Sequence, residues 1–136
     1  MSSISAIALS GLNAASRRLQ VSASNVANSQ TTGALPNADG TVPAGAPRAY
    51  APLELVQTAS AGGGTQATVT TATPSTTAIS DPQAPFANQN GLVAAPNVDL
   101  SQELVGQLIA SYSFAANATV MKADDRMTKT LLNITA

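Results

Sequence analysis

The sequence predicts a mainly α chain: long N- and C-terminal helices that pair as an α-helical coiled coil, with a small central β-hairpin and loop region between them. Three observations carry this. All eight prolines lie between residues 36 and 96, so both ends are free to run as uninterrupted helices. Each end repeats small or apolar residues in alternating steps of three and four, the rhythm of a helix that buries one stripe. The middle combines turn formers with a Thr- and Val-rich run suited to strands. The chain divides accordingly into residues 1–33, an N-terminal assembly helix with the turn leaving it; 34–96, the central region; and 97–136, a C-terminal assembly helix.

In the first segment Ala8, Leu12, Ala15, Leu19, Ser22 and Val26 form the stripe, and Ser2 or Ser3 can cap a helix running from about residue 4 to 28. The opposite face, with Ala6, Ala14 and Ala23, is charge-poor and would be exposed in a monomer. After Asn28, turn formers and then Pro and Gly predict an exposed loop to Pro47. Arg48–Gln57 predicts a strand that Pro52 confines to an edge, and Thr65–Ile79 predicts its hairpin partner, with Gly62–Gly64 near the tip. Asp81–Pro96 is too rich in Pro and Gly for a helix but apolar enough to pack on something. Asp99 suits an N-cap, Gln102 the far side of a capping box, and Glu103 the first turn of the second helix. Its stripe is Leu104, Leu108, Ser111, Ala115, Ala118, Met121, Thr128 and Leu132, with Asp125 set to pair with Lys129 one turn on.

Charged residues make up 10% of the 136, well under the usual share of about 25%, and aromatics only 3%. The apolar fraction is therefore mostly Ala, Val and Leu, which gives a solitary core little large side-chain area. Burial against copies of itself or against partners is the natural way to satisfy such a surface. With no His and no Cys, the chain lacks a Ser-His-Asp triad, a thiol nucleophile and ordinary zinc ligands. A formal charge of −1 offers no footprint for nucleic acid. Met1–Leu12 does not read as a cleaved secretory signal, and no run is apolar enough to span a membrane.

The remaining clusters have plain structural explanations. Asp124 and Asp125 are neighbours on a helix and point about 100° apart, so they cannot act as a catalytic pair. Asp99 and Glu103 share a face but lack the further oxygen donors of a cation site. Gly62–Gly64 is followed by no Lys-Ser/Thr, leaving flexibility as its expected role. Arg17 and Arg18 are expected at a solvated face or against a neighbouring subunit. No catalytic residue, cofactor site, metal site or small-molecule substrate is expected, and the chain is read as a non-enzyme.

Leu19-Gln20-Val21-Ser22-Ala23-Ser24-Asn25-Val26-Ala27-Asn28 followed by Thr31-Thr32-Gly33 resembles the N-terminal signature of the bacterial flagellar rod and hook family. Pro96-Asn97-Val98-Asp99, Glu103-Leu104-Val105 and Ser113-Phe114-Ala115-Ala116-Asn117 resemble its C-terminal signature, closest to the short proximal-rod members. The resemblance covers about half the chain. It implies a structural subunit of the basal-body rod in the periplasm, exported by the flagellar type III apparatus without a cleaved signal and transmitting torque from motor to hook. Its implied partners are copies of itself, other rod proteins and proteins at the junction of export gate and MS-ring. It further implies signature roles for Asn25, Ala27, Asn28, Thr31, Gly33, Pro96, Asn97, Val98, Asp99, Glu103 and Asn117. Within a subunit Leu12, Leu19 and Val26 would pack on Leu104, Leu108, Phe114 and Met121, leaving Ala-rich faces for neighbours. The Asn25–Gly33 segment would make the turn, its Asn and Gly tolerating unusual backbone. The alternatives left open are another short axial protein of the rod and hook family and, from a different class, a Thr-rich surface binding or adhesion module.

Overall fold

The computed structural model describes residues 3–37 and 39–134. Helix α1 spans Ser3–Asn28 and helix α2 Leu100–Ile134, with strands β1 (Leu53–Ala59), β2 (Thr65–Thr71), β3 (Thr76–Ser80) and β4 (Leu92–Pro96) between them. The fold is mainly helical with a small antiparallel β region, as the proline distribution and the three–four spacing predict. Of the two expected caps for α1, Ser2 lies outside the described residues and Ser3 is already helical. Asp99 caps α2 as expected: its Oδ1 accepts from the N–H groups of Ser101 (2.9 Å) and Gln102 (3.1 Å).

The helices run antiparallel. Near one end Ser5 Oγ donates to Asp124 Oδ2, and near the other Ser22 Oγ donates to the Glu103 carbonyl at 2.9 Å. The seam is made of small and polar side chains. Ala8, Ala15 and Ser22 of α1 are buried at seven-residue intervals, and Ala110 and Asp124 are the buried residues of α2. Between them Asn117 lies flat over Gly11, where a β-carbon would overlap its amide group.

The expected leucine packing is therefore corrected. Leu104 and Leu108 are 56% and 55% exposed, Leu19 and Phe114 are also exposed, and Leu12, Val26 and Met121 are half-buried. The physical reason is angular: at about 100° per residue, Leu104 points roughly 100° away from Glu103, and Leu108 faces nearly opposite to Ala110. The true stripe passes through Gly11 and Asn25 rather than Leu12 and Val26. It follows the same rhythm, rotated towards the smallest residues.

β1 and β2 form the expected hairpin, paired from Leu53–Thr71 to Ala59–Thr65. Its strands are shorter than predicted, because β1 starts after Pro52 and the Thr65–Ile79 run breaks at Pro74. The triple glycine is not a loose tip. Gly63 and Gly64 adopt φ of 85° and 84°, and Gly64 is pressed against Ser10, whose Oγ accepts from the Thr65 N–H at 3.1 Å. The hairpin thus lies along α1 with Leu53, Leu55, Thr65 and Ala67 half-buried, and Ala14, expected to be exposed, is buried on the α1 face that meets it. Arg17 Nη1 donates to the Ala67 carbonyl (3.3 Å) and Arg18 Nη2 to Gln57 Oε1 (3.2 Å), so both arginines brace this hairpin within the subunit.

The Asp81–Pro96 segment supplies a strand, β4, that the sequence did not reveal, and it makes a second hairpin with the end of the Thr-rich run. β3 pairs with β4, and on the other edge of β4 Gly33 exchanges two backbone hydrogen bonds with Ala94, at 2.9 and 2.8 Å. Val93 and Ala94 are consecutive and both fully buried, so β4 is covered on both faces. Pro96 sits at its last position, opposite Thr76, where a missing N–H is tolerated.

Candidate functional site

Asn25 and Glu103, two of the residues expected as signature positions, meet at the junction of three elements: the end of α1, the start of β1 and the start of α2. Asn25 is at its centre, 1% exposed. Its Nδ2 donates to the Leu53 carbonyl (2.8 Å) and to Glu103 Oε1 (2.6 Å), while its Oδ1 accepts from the Leu53 N–H (2.9 Å) and the Tyr50 hydroxyl (3.0 Å). The primary amide thus pairs with the Leu53 backbone as a neighbouring strand would, and the rest of its capacity ties in Tyr50 and α2. Tyr50 also shares a hydrogen bond with Ser24 Oγ at 2.9 Å. All four hydrogen-bonding positions of a buried amide are filled, which makes the clasp specific for Asn at this place.

The neighbouring signature positions manage the chain as it leaves α1. Asn28 Nδ2 donates to the Ser24 carbonyl (2.9 Å), and the Asn28 carbonyl accepts from Thr31 Oγ1 (2.7 Å) and the Thr31 N–H (3.1 Å). Among the described residues no non-glycine has positive φ, so these Asn residues act through their side chains and not by tolerating unusual backbone. Gly33 also acts differently from expectation. It is needed for space: a β-carbon there would collide with the backbone from Pro47 to Ala49. Asn97 pins the β2–β3 connection, its N–H donating to the Ser75 carbonyl (3.0 Å) and its Nδ2 to the Pro74 carbonyl (3.1 Å). Pro96 is buried, Val98 half-buried and Ala27 exposed. Asn117, far along α2, stands apart from this junction at the Gly11 crossing, where its Nδ2 donates to the Ser113 carbonyl at 2.8 Å. Tyr50 is a clasp member that the sequence did not mark as a site residue, although one of only two Tyr in a chain so poor in aromatics is a usable signal.

The second part of the site is the outer surface of the helices. Of the 35 residues of α2 only Ala110 and Asp124 are buried. Leu104–Met121 contains no charged residue, and its exposed members include Leu104, Val105, Leu108, Ile109, Tyr112, Phe114 and Val120. No group of three acidic or metal-ligating residues gathers among the described residues, and none of their helices is long and apolar enough to cross a membrane. Such an arrangement can bind protein surfaces.

Comparison with known proteins matches both ends. Residues 6–34 fit the family described as flagella basal body rod protein, and residues 89–134 fit the C-terminal family of the flagellar basal body rod FlgEFG proteins. The flagellar basal-body rod protein FlgC of Salmonella typhimurium is 35% identical over 126 residues, covering 92% of this chain and 91% of that protein. The chain belongs to the FlgC family of rod proteins. The Yersinia enterocolitica FlgC is likewise 35% identical, over 132 residues. The flagellar hook protein FlgE of Escherichia coli is 42% identical over 45 residues, covering 33% of this chain and 11% of that protein. The two family matches include Asn25 and Glu103 of the clasp and most of both helices.

Proposed function

We propose that the chain is a structural subunit of the bacterial flagellar basal-body rod, at its proximal part, and that it polymerises through its terminal helices to carry torque from motor to hook. The observation that carries this is the exposed, uncharged Leu104–Met121 stretch of α2. A 35-residue helix that buries only two residues in its own subunit is built to be covered by others. The near-heptad seam between α1 and α2 supports pairing as a coiled coil, and the Asn25 clasp fixes the β region at one end of that pair. Leu12, Leu19, Val26, Leu104, Leu108, Phe114 and Met121 are then interface residues between copies, in place of the intrasubunit packing expected of them. The partners are copies of this chain, other rod proteins and proteins at the junction of export gate and MS-ring. The location is the periplasmic rod, reached by type III export.

Hook-basal bodies isolated from the parent organism test this directly. Mass spectrometry should find the chain in fixed stoichiometry with other rod proteins. Recovery solely as a soluble monomer would overturn the assignment and favour a surface module using the outward Thr58, Thr68 and Thr70 of the first hairpin.

A further inference from the structure

The helix pair has two unlike flanks. One carries the hairpin, where Ser113 and Asn117 of α2 line a cavity together with Gln57 and Thr65. The other is open and holds a groove of about 400 Å³, floored by Ala15 and Ala110 and walled by Ser16, Leu19, Ser111 and Phe114. On the α2 surface turned away from this groove, Val105, Ile109, Tyr112, Ala116, Val120, Ala123 and Met127 recur in steps of 4, 3, 4, 4, 3 and 4, every one exposed. Tyr112, at 70% exposure, is the most prominent aromatic on it.

Resting on the rod-subunit reading, we propose that Tyr112 of one copy seats in the groove of a second copy. The charge pattern selects this occupant: neither the groove lining nor the stripe from Val105 to Ala123 carries a charge, so closing one on the other strands no ion. The shapes are complementary as well. Small residues floor the groove, Tyr112 is a large projecting side chain, and Ser16, Gln20 and Ser111 at the rim offer polar partners to its hydroxyl. The groove is continuous with the α1–α2 seam, so the incoming ring extends packing that already exists. Knob and groove lie on different flanks, which makes the contact heterologous: each copy gives one surface and receives on the other. Repetition of such a contact builds a ring or an open helical array, and cannot stop at a symmetric dimer.

The test places p-benzoylphenylalanine at position 112 of the full chain in the parent cells, followed by irradiation of isolated hook-basal bodies. A ladder of cross-linked copies is expected, with the adducts mapping to residues 15–20 or 110–114 of the neighbour. Adducts to a different protein, to other residues of the chain, or dimers joined only through position 112 would overturn the contact while leaving the rod assignment intact. Absence of the wild-type chain from basal bodies is the separate result that removes the assignment, and the contact with it. If the photoreactive chain is not incorporated, Tyr112→Phe and Tyr112→Lys decide the matter. The first should keep incorporation within about twofold and the second reduce it more than about tenfold; equal incorporation overturns the contact.

Discussion

Replacing Asn25 by Asp tests the clasp while leaving side-chain volume almost unchanged. The substitution exchanges a two-proton donor for an acceptor that faces Glu103 Oε1 at 2.6 Å and the Leu53 carbonyl at 2.8 Å. Both lost hydrogen bonds become acceptor–acceptor contacts. A net hydrogen bond contributes about 1 kcal/mol and a buried group left unsatisfied costs about 1–3 kcal/mol, so a loss of about 3 kcal/mol follows with half-buried partners that water partly reaches. For a chain of this length that is a fall in Tm of roughly 10 °C, measured by far-UV circular dichroism. The pH dependence gives a sharper criterion. Two facing carboxylates share a proton more readily in the folded chain, so the folded pKa of the pair rises above its unfolded value. Stability of the variant then falls as pH rises through that folded pKa and recovers as pH drops towards the ordinary carboxylate range. Asn25→Ala should be destabilised comparably but without this recovery. An Asn25→Asp chain as stable as wild type at neutral pH, or one whose loss does not ease on acidification, would refute the assigned role of the amide.

Gly33→Ala should cost more than about 2 kcal/mol, because the backbone between Pro47 and Ala49 must retreat and the Gly33–Ala94 hydrogen bonds with it; faster proteolysis in the 34–52 loop would register this. Leu108→Asp should leave the isolated chain within about 0.5 kcal/mol of wild type, since Leu108 is exposed there, yet abolish incorporation into basal bodies; normal motility would oppose the interface assignment. Lys129→Ala removes an ion pair of 2.7 Å whose side chains are 72% and 60% exposed, and Tm should not move measurably.

The helices were legible because their signals are local: absence of Pro, spacing, and an Asp followed by Glu in the first turn. The first hairpin was legible from its glycines. The seam was not, and the reason is specific. Ala8, Ala15 and Ser22 belong to both the expected and the observed stripe, but the continuation through Gly11 and Asn25 is made of residues that carry no hydrophobic signal. The leucines drew the stripe towards the flank that has no covering within one subunit. β4 escaped because a five-residue strand buried on both faces shows no alternation, and its flanking Pro and Gly read as loop. The Asn25 motif could be recognised, but its chemistry could not. Its partners come from positions 50, 53 and 103, and only the fold brings them to one amide.

The distribution of side-chain size has an energetic consequence. At about 0.8 kcal/mol per buried methyl-sized group, the seam alanines contribute little each, while a leucine fully buried from water contributes roughly 1.5–3 kcal/mol. In this chain the larger amounts sit outside the seam, at Leu19, Leu104, Leu108 and Phe114, and go unused until another surface covers them. What holds the isolated pair in register is polar: Ser5 on Asp124 at one end, Ser22 and Asn25 on Glu103 at the other. Polar contacts of this kind select one alignment more effectively than they stabilise it. On the proposed assembly, the helices are aligned by the subunit and stabilised by the array. A chain built in this way can remain weakly folded until it reaches its neighbours and still arrive with its interface residues on the correct flanks.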